Sequence, residues 1–343
     1  MGKIRVIQYG VGPIGAGMVR LMLAKPAIQI VGAIDVDPKK VGQDLGIVAG
    51  TNRQIGVKIS SDVHSVLGSG ADVVVHTTLS HLKSVAGQLT DCLNAGLHVV
   101  STCEELSYPF RKHPELSRQL DDLARTHNVV LLGTGVNPGF VLDKLILTLA
   151  TACQNVTHAS GHRVVNASKR RQPLQAKIGS GLTVDEFYAQ VKAGVIKHHG
   201  LPESVGMVAD GLGLEVAKIE EVIEPVVAKQ QVKTDYFDVP AGKVVGVRQV
   251  GHGISSAGKI NVDLKLEMYL GAPDSVDMVS IKGTPDLTLT VPGGTHGDLA
   301  TAAITVNCIP ALFEMRPGLR TSKDTPMSYF SGTSFAAGKA HGS

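Results

Sequence analysis

The sequence is poor in several features that would fix its class at once. It has no tryptophan, only four cysteines and no apolar run of the roughly 18 residues that a membrane-spanning helix needs. The cysteines form no C-x-x-C pair and have no histidine at zinc spacing, which predicts reduced thiols and no metal site. Reduced thiols are typical of the cytosol, so we expect a cytoplasmic protein that does not enter a membrane. The four cysteines are Cys92, Cys103, Cys153 and Cys308.

The sequence also has little net charge. Its 33 Lys and Arg residues against 30 Asp and Glu residues leave +3, which argues against an electrostatic nucleic-acid binder. Hydrophobic residues make up 43% of the chain and charged residues 18%, so it can fill cores and is not disordered. At roughly 150 residues per domain, 343 residues allow about two domains. Glycine is in excess, with 39 residues against a usual share of roughly 7%, and this excess needs a specific explanation.

The first 135 residues alternate short apolar runs with helical patterns. This alternation predicts an α/β fold with a doubly wound parallel sheet, a Rossmann domain. Continuous apolar runs such as residues 73–75 are typical of strands buried on both faces. The predicted strands are residues 4–8, 28–35, 71–76, 97–102 and 129–132, and the predicted helices are residues 13–25, 83–95 and 114–127.

After Gly139 the pattern changes to period-two alternation, as in residues 261–266. This predicts an α+β domain with a mainly antiparallel open sheet. We place the dinucleotide-binding domain at residues 1–138, with a C-terminal helix and tail at about 298–343 packing back on it. A substrate-binding and dimerisation domain takes residues 139–297. Its predicted strands are residues 156–167, 213–228, 243–250, 260–269, 276–282 and 286–291, with helices at 142–150 and 185–197. The final helix is predicted at 298–313, and the small, polar tail from residue 331 is expected to be loose.

A glycine string after the first predicted strand fits G-x-G-x-x-G. It opens a helix within a strand–helix–strand unit of about thirty residues, the setting that makes this motif a dinucleotide site. The first glycine permits the turn, the second lets the backbone approach the pyrophosphate, and the third lets helix and strand pack closely. The helix N-terminus supplies donors and a positive dipole end. The residues of this string proposed to bind cofactor are Gly10, Gly12, Pro13, Ile14 and Gly15.

Asp35 ends the second predicted strand, where an acidic side chain binds the ribose hydroxyls. Its charge would repel a 2′-phosphate and therefore favours NAD. Lys39 and Lys40 follow closely; Lys39 is taken as a further cofactor residue, and both leave NADP open. Solvated loop lysines are the alternative interpretation.

Ligands of open parallel sheets bind beyond the carboxyl ends of the strands. Thr77 and Thr78 follow one such strand and are candidates for lining the cofactor channel, with helix capping as the alternative. Glu104 would be an acid near the hydride-transfer site, and an acidic helix N-cap is the alternative for it and for Glu105. Asn137 can serve a carboxamide such as that of nicotinamide, unless it is only a turn residue before a proline.

Together these motifs resemble the 2,4-diaminopentanoate dehydrogenase family, which includes the native NAD(P)-dependent amine dehydrogenases and whose N-terminal domain is similar to that of dihydrodipicolinate reductase. The matching segments are residues 31–46, 101–109, 133–140, 175–187, 198–204, 294–310 and 316–326. The resemblance implies oxidation of a primary amine, 2,4-diaminopentanoate-like or a simple alkyl amine, to a ketone and ammonia. The reverse reaction would be the reductive amination of ketones or aldehydes. It also supports a homodimer.

Carried onto this sequence, the resemblance implies that Glu104 is the active-site carboxylate. Asn137 would lie beside the nicotinamide, and Arg163 would hold a substrate carboxylate; an exposed sheet arginine is the alternative. His296 and Thr305, before and on the last predicted helix, complete the candidate substrate-binding residues, with a turn role and helix packing as alternatives.

Two rival functions remain open from the sequence. A dihydrodipicolinate reductase would carry a D-A-P-S-G-T loop, whereas residues 164–171 read V-V-N-A-S-K-R-R. A non-catalytic NAD-binding sensor would bind cofactor without turnover. The absent loop argues against the reductase, and the acid at Glu104 favours an enzyme over the sensor.

Overall fold

A computed structural model describes residues 2–333, so most of the tail predicted to be loose lies outside the described residues. The chain forms two compact units. The N-terminal unit runs to Phe140 and resumes at His296, and the C-terminal unit is Val141–Thr295. The sequence placed these boundaries after residues 138 and 297.

The strands of the described residues follow in chain order. They are β1 (Ile4–Tyr9), β2 (Ile28–Ile34), β3 (Ile59–Ser60), β4 (Val73–His76), β5 (His98–Ser101), β6 (Val130–Gly133), β7 (Asn155–Asn166), β8 (Lys218–Val227), β9 (Val232–Lys233), β10 (Asp238–Val239), β11 (Val244–Ile254), β12 (Ile260–Tyr269), β13 (Val276–Thr284), β14 (Leu287–Pro292) and β15 (Gly318–Arg320).

The helices are α1 (Pro13–Leu23), α2 (Leu45–Val48), α3 (Val63–Leu67), α4 (Leu82–Asn94), α5 (Pro114–Thr126), α6 (Lys144–Ala150), α7 (Gln172–Lys177), α8 (Val184–Lys192), α9 (Leu201–Leu212) and α10 (Gly297–Cys308). Short 3-10 helices cover Glu104–Ser107, Pro310–Phe313 and Ser322–Asp324. None of the helices within residues 2–333 combines the length and hydrophobicity needed to span a bilayer.

The N-terminal unit is built on a seven-stranded parallel sheet in the order β15-β6-β5-β4-β1-β2-β3. Read from β3, this is the 3-2-1-4-5-6 order of a doubly wound dinucleotide fold with one strand added. Apolar residues from alternate strand positions form two cores. One core contains Met18 of α1 and Val306 of α10, and the other contains Leu89 of α4 and Leu120 of α5. The predicted Rossmann architecture is confirmed.

The C-terminal unit contains a six-stranded sheet in the order β14-β13-β7-β12-β11-β8. The β7–β12 pair is parallel and the other pairs of this sheet are antiparallel. This confirms the mainly antiparallel prediction. Alternation along one strand reports which face is buried and carries no information on the direction of its neighbour, so the parallel pair could not be read from it.

The sequence missed α9 and misplaced the helix before it. The helix predicted for residues 185–197 ends at Lys192, where Ala193 and Gly194 close it. The sequence does not predict helix α9 because most of its residues are buried. The helix therefore has no polar face, and its apolar residues show no helical periodicity. Gly206 and Gly211 weaken its helical pattern further.

Candidate functional site

The order in which the chain adds strands to the parallel sheet reverses between β1 and β4. From β1 the chain proceeds outward to β2 and β3, and then returns to β4 on the other side of β1. At such a switch point the loops beyond two neighbouring strands separate and leave a crevice. Gly10 follows β1 and Thr77 follows β4, so both lie at this crevice.

The glycines of the loop are required by space and by backbone angle. Gly10 has φ +90°, and a Cβ there would lie 2.5 Å from the carbonyl oxygen of Thr77. A Cβ on Gly15 would lie 2.1 Å from the carbonyl oxygen of Gly10. Gly12, by contrast, has open space within 4 Å and caps α1 without a side-chain hydrogen bond. Helix α1, with Pro13 as its first residue, therefore presents backbone N–H groups where a pyrophosphate would bind.

Polar side chains stabilise this loop through hydrogen bonds. Thr77 Oγ1 donates to the carbonyl oxygen of Gly10 at 2.7 Å, and Gln8 Nε2 donates to the same oxygen at 2.8 Å. Thr78 Oγ1 donates to Gln88 Oε1 at 2.8 Å. The alternative that the threonines cap a helix is wrong, because His81 is the N-cap of α4.

Asp35 directly follows β2 and is fixed by several donors. Its Oδ2 accepts from the backbone N–H of Val11 at 2.8 Å and lies 3.1 Å from Lys40 Nζ, while Oδ1 accepts from the N–H of Asp37 at 2.9 Å. Burial raises the pKa of Asp35, but these hydrogen bonds and the Lys40 charge lower it by more, so that the pKa lies below its ordinary value. The carboxylate is therefore ionised at neutral pH. The side chain of Lys39 is exposed, and the lysine that reaches Asp35 is Lys40.

Asn137 offers a polar atom whose hydrogen bonding is incomplete. The residue is 9% exposed, and its buried Oδ1 has no hydrogen-bond partner among residues 2–333. A buried acceptor without a donor is costly, and a carboxamide N–H would satisfy it. Together with the open space at Gly12 and the ionised Asp35, this atom fits a dinucleotide cofactor.

Glu104 begins the 3-10 helix that follows β5. Its side chain is half-buried, whereas the neighbouring Glu105 is 3% exposed. The helix-cap alternative holds in part for Glu105, whose Oε2 accepts from the N–H of Leu82, the first residue of α4. The N-cap of the 3-10 helix itself is Cys103, so Glu104 is not a cap.

Arg163 on β7 is buried, at 4% exposure, so the alternative of an exposed sheet arginine is wrong. Its Nη1 donates to both carboxylate oxygens of Asp277, at 3.1 and 3.0 Å, and its Nη2 donates to the carbonyl oxygen of Thr295. Asp277 lies on β13 and also accepts from the N–H of Thr295 at 2.7 Å. This acid, 114 residues away in sequence, was not among the predicted residues.

The two candidates at α10 have different environments. His296 is the N-cap of α10, and its Nδ1 accepts from the N–H of Leu299 at 3.4 Å, which supports the turn alternative. Thr305 is fully buried, and its Oγ1 has no hydrogen-bond partner among the described residues. An unsatisfied polar atom is unfavourable in a core, so Thr305 stays a candidate to bond a ligand, with helix packing as the alternative.

The C-terminal unit contains a partly open, largely apolar cavity of about 110 Å³. Its lining residues are Leu174, Lys177, Ile178, Ile196, Lys197, His198, Val247, Leu266 and Met268. Burial, with the charges of Arg163 and Lys177, lowers the pKa of His198 to about 4, so the imidazole is neutral at pH 7. Helix α8 ends at Lys192, and the Nδ1 of His198 beyond it is buried without a hydrogen-bond partner among the described residues.

Comparison with known proteins places these features in one family. The family model of the 2,4-diaminopentanoate dehydrogenase C-terminal domain matches residues 140–335, and that of the dihydrodipicolinate reductase N-terminus matches residues 4–106. The 2,4-diaminopentanoate dehydrogenase of Acetoanaerobium sticklandii is 32% identical over 341 residues, covering 95% of this chain and 94% of that protein. An amine dehydrogenase of Streptomyces virginiae is 24% identical over 348 residues, covering 94% of this chain and 96% of that protein.

A solved structure agrees with these sequence relatives. The structure of amine dehydrogenase from Mycobacterium smegmatis has a TM-score of 0.83 and 28% identity to this chain, covering 96% of this chain and 98% of that one. Matches of this length extend through both compact units. The chain therefore belongs to the 2,4-diaminopentanoate dehydrogenase family.

Proposed function

We propose that this protein is an NAD(P)-dependent amine dehydrogenase. It would oxidise a primary amine to an imine that hydrolyses to a ketone and ammonia, and run in reverse as a reductive amination. The observation that carries the proposal is the position of Glu104. Glu104 lies just after β5, which is a strand of the parallel sheet. The glycine loop lies at the switch point of the same sheet. Family membership supports the same chemistry.

The residues of the N-terminal unit divide the work of cofactor binding. The loop of Gly10, Gly12 and Gly15 and the N-terminus of α1 would hold the pyrophosphate, and Asp35 would accept from the ribose hydroxyls. Asn137 Oδ1 would accept from the nicotinamide carboxamide. The cofactor, when bound, supplies the ring that exchanges a hydride with the substrate carbon.

Glu104 would handle the protons of the reaction. In the oxidative direction its carboxylate first binds the substrate ammonium and takes one proton, which leaves a neutral amine able to lose hydride from the adjacent carbon. Glu104 would then release that proton to solvent and, ionised again, accept a proton from the water that adds to the iminium carbon. It would return this second proton to the nitrogen, which leaves as ammonia while the new hydroxyl loses its proton to become the ketone. Positioned acid–base groups of this kind accelerate reactions by roughly 10²–10⁴-fold.

NAD is the cofactor we favour. The ionised Asp35 would repel a 2′-phosphate, while its pairing with Lys40 reduces that repulsion and leaves NADP usable. Competition of the two cofactors for the protein, followed by nicotinamide fluorescence, measures the preference directly.

The C-terminal unit supports an amine with an apolar carbon chain. The charge of Arg163 is already balanced by Asp277, and the cavity of this unit is lined mainly by aliphatic side chains. Both features favour a simple alkyl amine over a carboxylate-bearing one such as 2,4-diaminopentanoate. Arg163, His296 and Thr305 stand as the proposed substrate-binding residues, and Arg163 would matter most if a substrate carboxylate is required.

We further propose a cytoplasmic homodimer. All four cysteines are free thiols, as expected in a reducing compartment. The open face of the C-terminal sheet exposes Val222 and Met278, at 43% and 38%, and apolar side chains on an open sheet are typical of an interface. Analytical ultracentrifugation would detect a monomer if this is wrong.

The decisive experiment is a screen for reduction of NAD⁺ and NADP⁺, followed at 340 nm, with 2,4-diaminopentanoate and with plain alkyl amines such as pentan-2-amine. Turnover that requires no carboxylate is expected. Glu104→Gln should lower kcat by about 10²–10⁴-fold with unchanged affinity for NADH. Full turnover by this variant would exclude the acid–base role. Cofactor binding without turnover of any amine, or of any ketone with ammonia, would instead indicate a sensor.

A further inference from the structure

Two consecutive glutamates begin the same 3-10 helix but have different surroundings. Glu104 is half-buried, whereas the side chain of Glu105 is 4% exposed. The proposed reaction uses Glu104 and assigns nothing to Glu105. Burial of a carboxylate is unfavourable unless hydrogen-bond donors replace the lost hydration. The donors around Glu105 therefore show which segments of the chain its carboxylate connects.

Four donors converge on the Glu105 carboxylate. Oε1 lies 2.6 Å from Lys112 Nζ and 3.0 Å from His81 Nδ1, and Oε2 lies 2.8 Å from the backbone nitrogen of Leu82 and 3.0 Å from His113 Nε2. Burial raises the pKa of Glu105, but these hydrogen bonds lower it well below the usual range of a glutamate. The group is therefore an anion throughout the neutral range.

The donors belong to separate parts of the N-terminal unit. His81 and Leu82 form the start of α4, and His113 is the N-cap of α5. The Glu105 carboxylate thus joins the starts of two helices to the 3-10 helix that carries Glu104. Loss of the Glu105 carboxylate would remove these connections among all three segments, which are the start of α4, the start of α5 and the 3-10 helix.

The backbone of the 3-10 helix is held as well. The N–H of Glu105 donates to the carbonyl oxygen of Ser80 at 3.2 Å, and Cys103 Sγ donates to the same oxygen at 3.3 Å. On the other side, a Cβ on Gly133 of β6 would lie 2.5 Å from the carbonyl oxygen of Leu106. The 3-10 helix therefore sits against β6 with no space for another atom, and the Glu105 carboxylate ties it to α4 and α5.

We propose that Glu105 is a positioning residue, which fixes the backbone from which Glu104 projects and thereby fixes the carboxylate that moves protons. The inference rests on the proposed function, because it requires Glu104 to be the acid–base group. The two adjacent acids then have separate tasks. Glu105 is anchored by buried donors, and Glu104 is left half-exposed for substrate.

The first test is Glu105→Gln, assayed with NAD⁺ and pentan-2-amine. Glutamine keeps the size of the side chain but turns one acceptor into an N–H group that faces other donors. A displacement of about 1 Å costs roughly a hundredfold in rate, so kcat should fall by about ten- to a hundredfold. NADH affinity should stay within about twofold, because the four donors to the Glu105 carboxylate lie outside the glycine loop. Unchanged kcat would overturn the proposal.

Two further variants protect the test against a folding defect. Lys112→Met removes one half-exposed donor and should lower kcat in the same direction but less, and Glu105→Asp, which keeps the charge, should recover part of the activity lost in Glu105→Gln. The control is Glu115→Gln in the exposed Glu115–Arg118 pair of α5, which should behave as the unmodified protein. Loss of activity in the control equal to that in Lys112→Met would contradict the proposal.

A double-variant cycle separates positioning from a general structural role. If Glu105 acts through Glu104, adding Glu105→Gln or Lys112→Met to Glu104→Gln causes no further loss of kcat. Losses that multiply would overturn the positioning role while leaving the proposed function intact. Full activity of Glu104→Gln would overturn both, and the two failures are therefore distinguishable.

Discussion

The two compact units build their polar features in opposite ways. In the N-terminal unit the glycine loop proposed to bind cofactor is made of backbone, with glycines at Gly10 and Gly15, where a Cβ would strike a neighbouring carbonyl. In the C-terminal unit the corresponding polar feature is a buried ion pair of side chains, Arg163 with Asp277. A site made of backbone requires a short motif of neighbouring residues in the sequence. A side-chain pair, in contrast, can form between residues on strands that are far apart in the chain. The contrast predicts different consequences of substitution in each unit.

The largest effect is expected in the C-terminal unit. Arg163→Met would leave Asp277, at 1% exposure, as an unpaired buried anion, and such a loss costs about 3–5 kcal/mol of unfolding free energy. Urea unfolding followed by circular dichroism would measure it. The double variant Arg163→Met with Asp277→Leu should recover much of the stability, and failure to do so would mean that the arginine contributes through packing and not through charge.

A second effect tests the backbone nature of the N-terminal site. Gly15→Ala places a methyl group against the carbonyl oxygen of Gly10 and should destabilise the protein by about 1–3 kcal/mol. Gly12→Ala has open space and should leave thermal stability unchanged while weakening NADH binding, because the methyl group obstructs the pyrophosphate. Equal losses of stability in both variants would contradict the open space at Gly12, and unchanged NADH affinity in Gly12→Ala would mean that this space does not serve the cofactor.

A third, smaller effect concerns acid stability in both units. Burial lowers the pKa of His98 and of His198 to about 4, so both are neutral when folded and take up a proton when unfolded below about pH 6.5. Their contribution is present above pH 6.5 and is lost as pH falls towards 4, roughly 1 kcal/mol for each by pH 5.5. Glutamine variants at either position should flatten the dependence of the melting temperature on pH between 7 and 5.5. An unchanged slope would show that the histidine is not the titrating group.

The smallest effect concerns cofactor choice. Lys40→Ala removes a partly exposed partner of Asp35 and should lower affinity for NADPH relative to NADH by about threefold, since exposed ion pairs contribute under about 1 kcal/mol. Lys39→Ala is the matched control, because its side chain is exposed and does not reach Asp35. Equal shifts in both variants would mean that general positive charge near the loop, and no specific contact, sets the preference.

The sequence predicted the N-terminal unit well for a physical reason. Strands buried on both faces appear as apolar runs, and the loop glycines are dictated by contacts within about seventy residues, as between Gly10 and Thr77. Sequence distance also explains the failures. Strand β15 is only three residues long, and the neutralisation of Arg163 by Asp277 depends on the register of β7 with β13, which period-two alternation does not encode.

The candidate site was predictable in its residue types and less so in its contacts. The string around residues 103–105 indicated an acid at a strand end, but nothing in it distinguished the anchored Glu105 from the half-exposed Glu104. That distinction comes from Lys112 and His113, whose positions depend on where α5 begins. Lys39 and Lys40 were similarly ambiguous, because the sequence does not show which of two adjacent lysines faces Asp35.

The seventh strand, β15, has a consequence for biosynthesis. The N-terminal sheet is completed by residues 318–320, which follow the C-terminal unit in the sequence, while the C-terminal unit is one continuous segment. During translation, at roughly 5–20 residues per second, the unit that begins second can finish folding first. The unit that begins first must wait, with the edge of β6 unpaired, until residues 318–320 have left the ribosome.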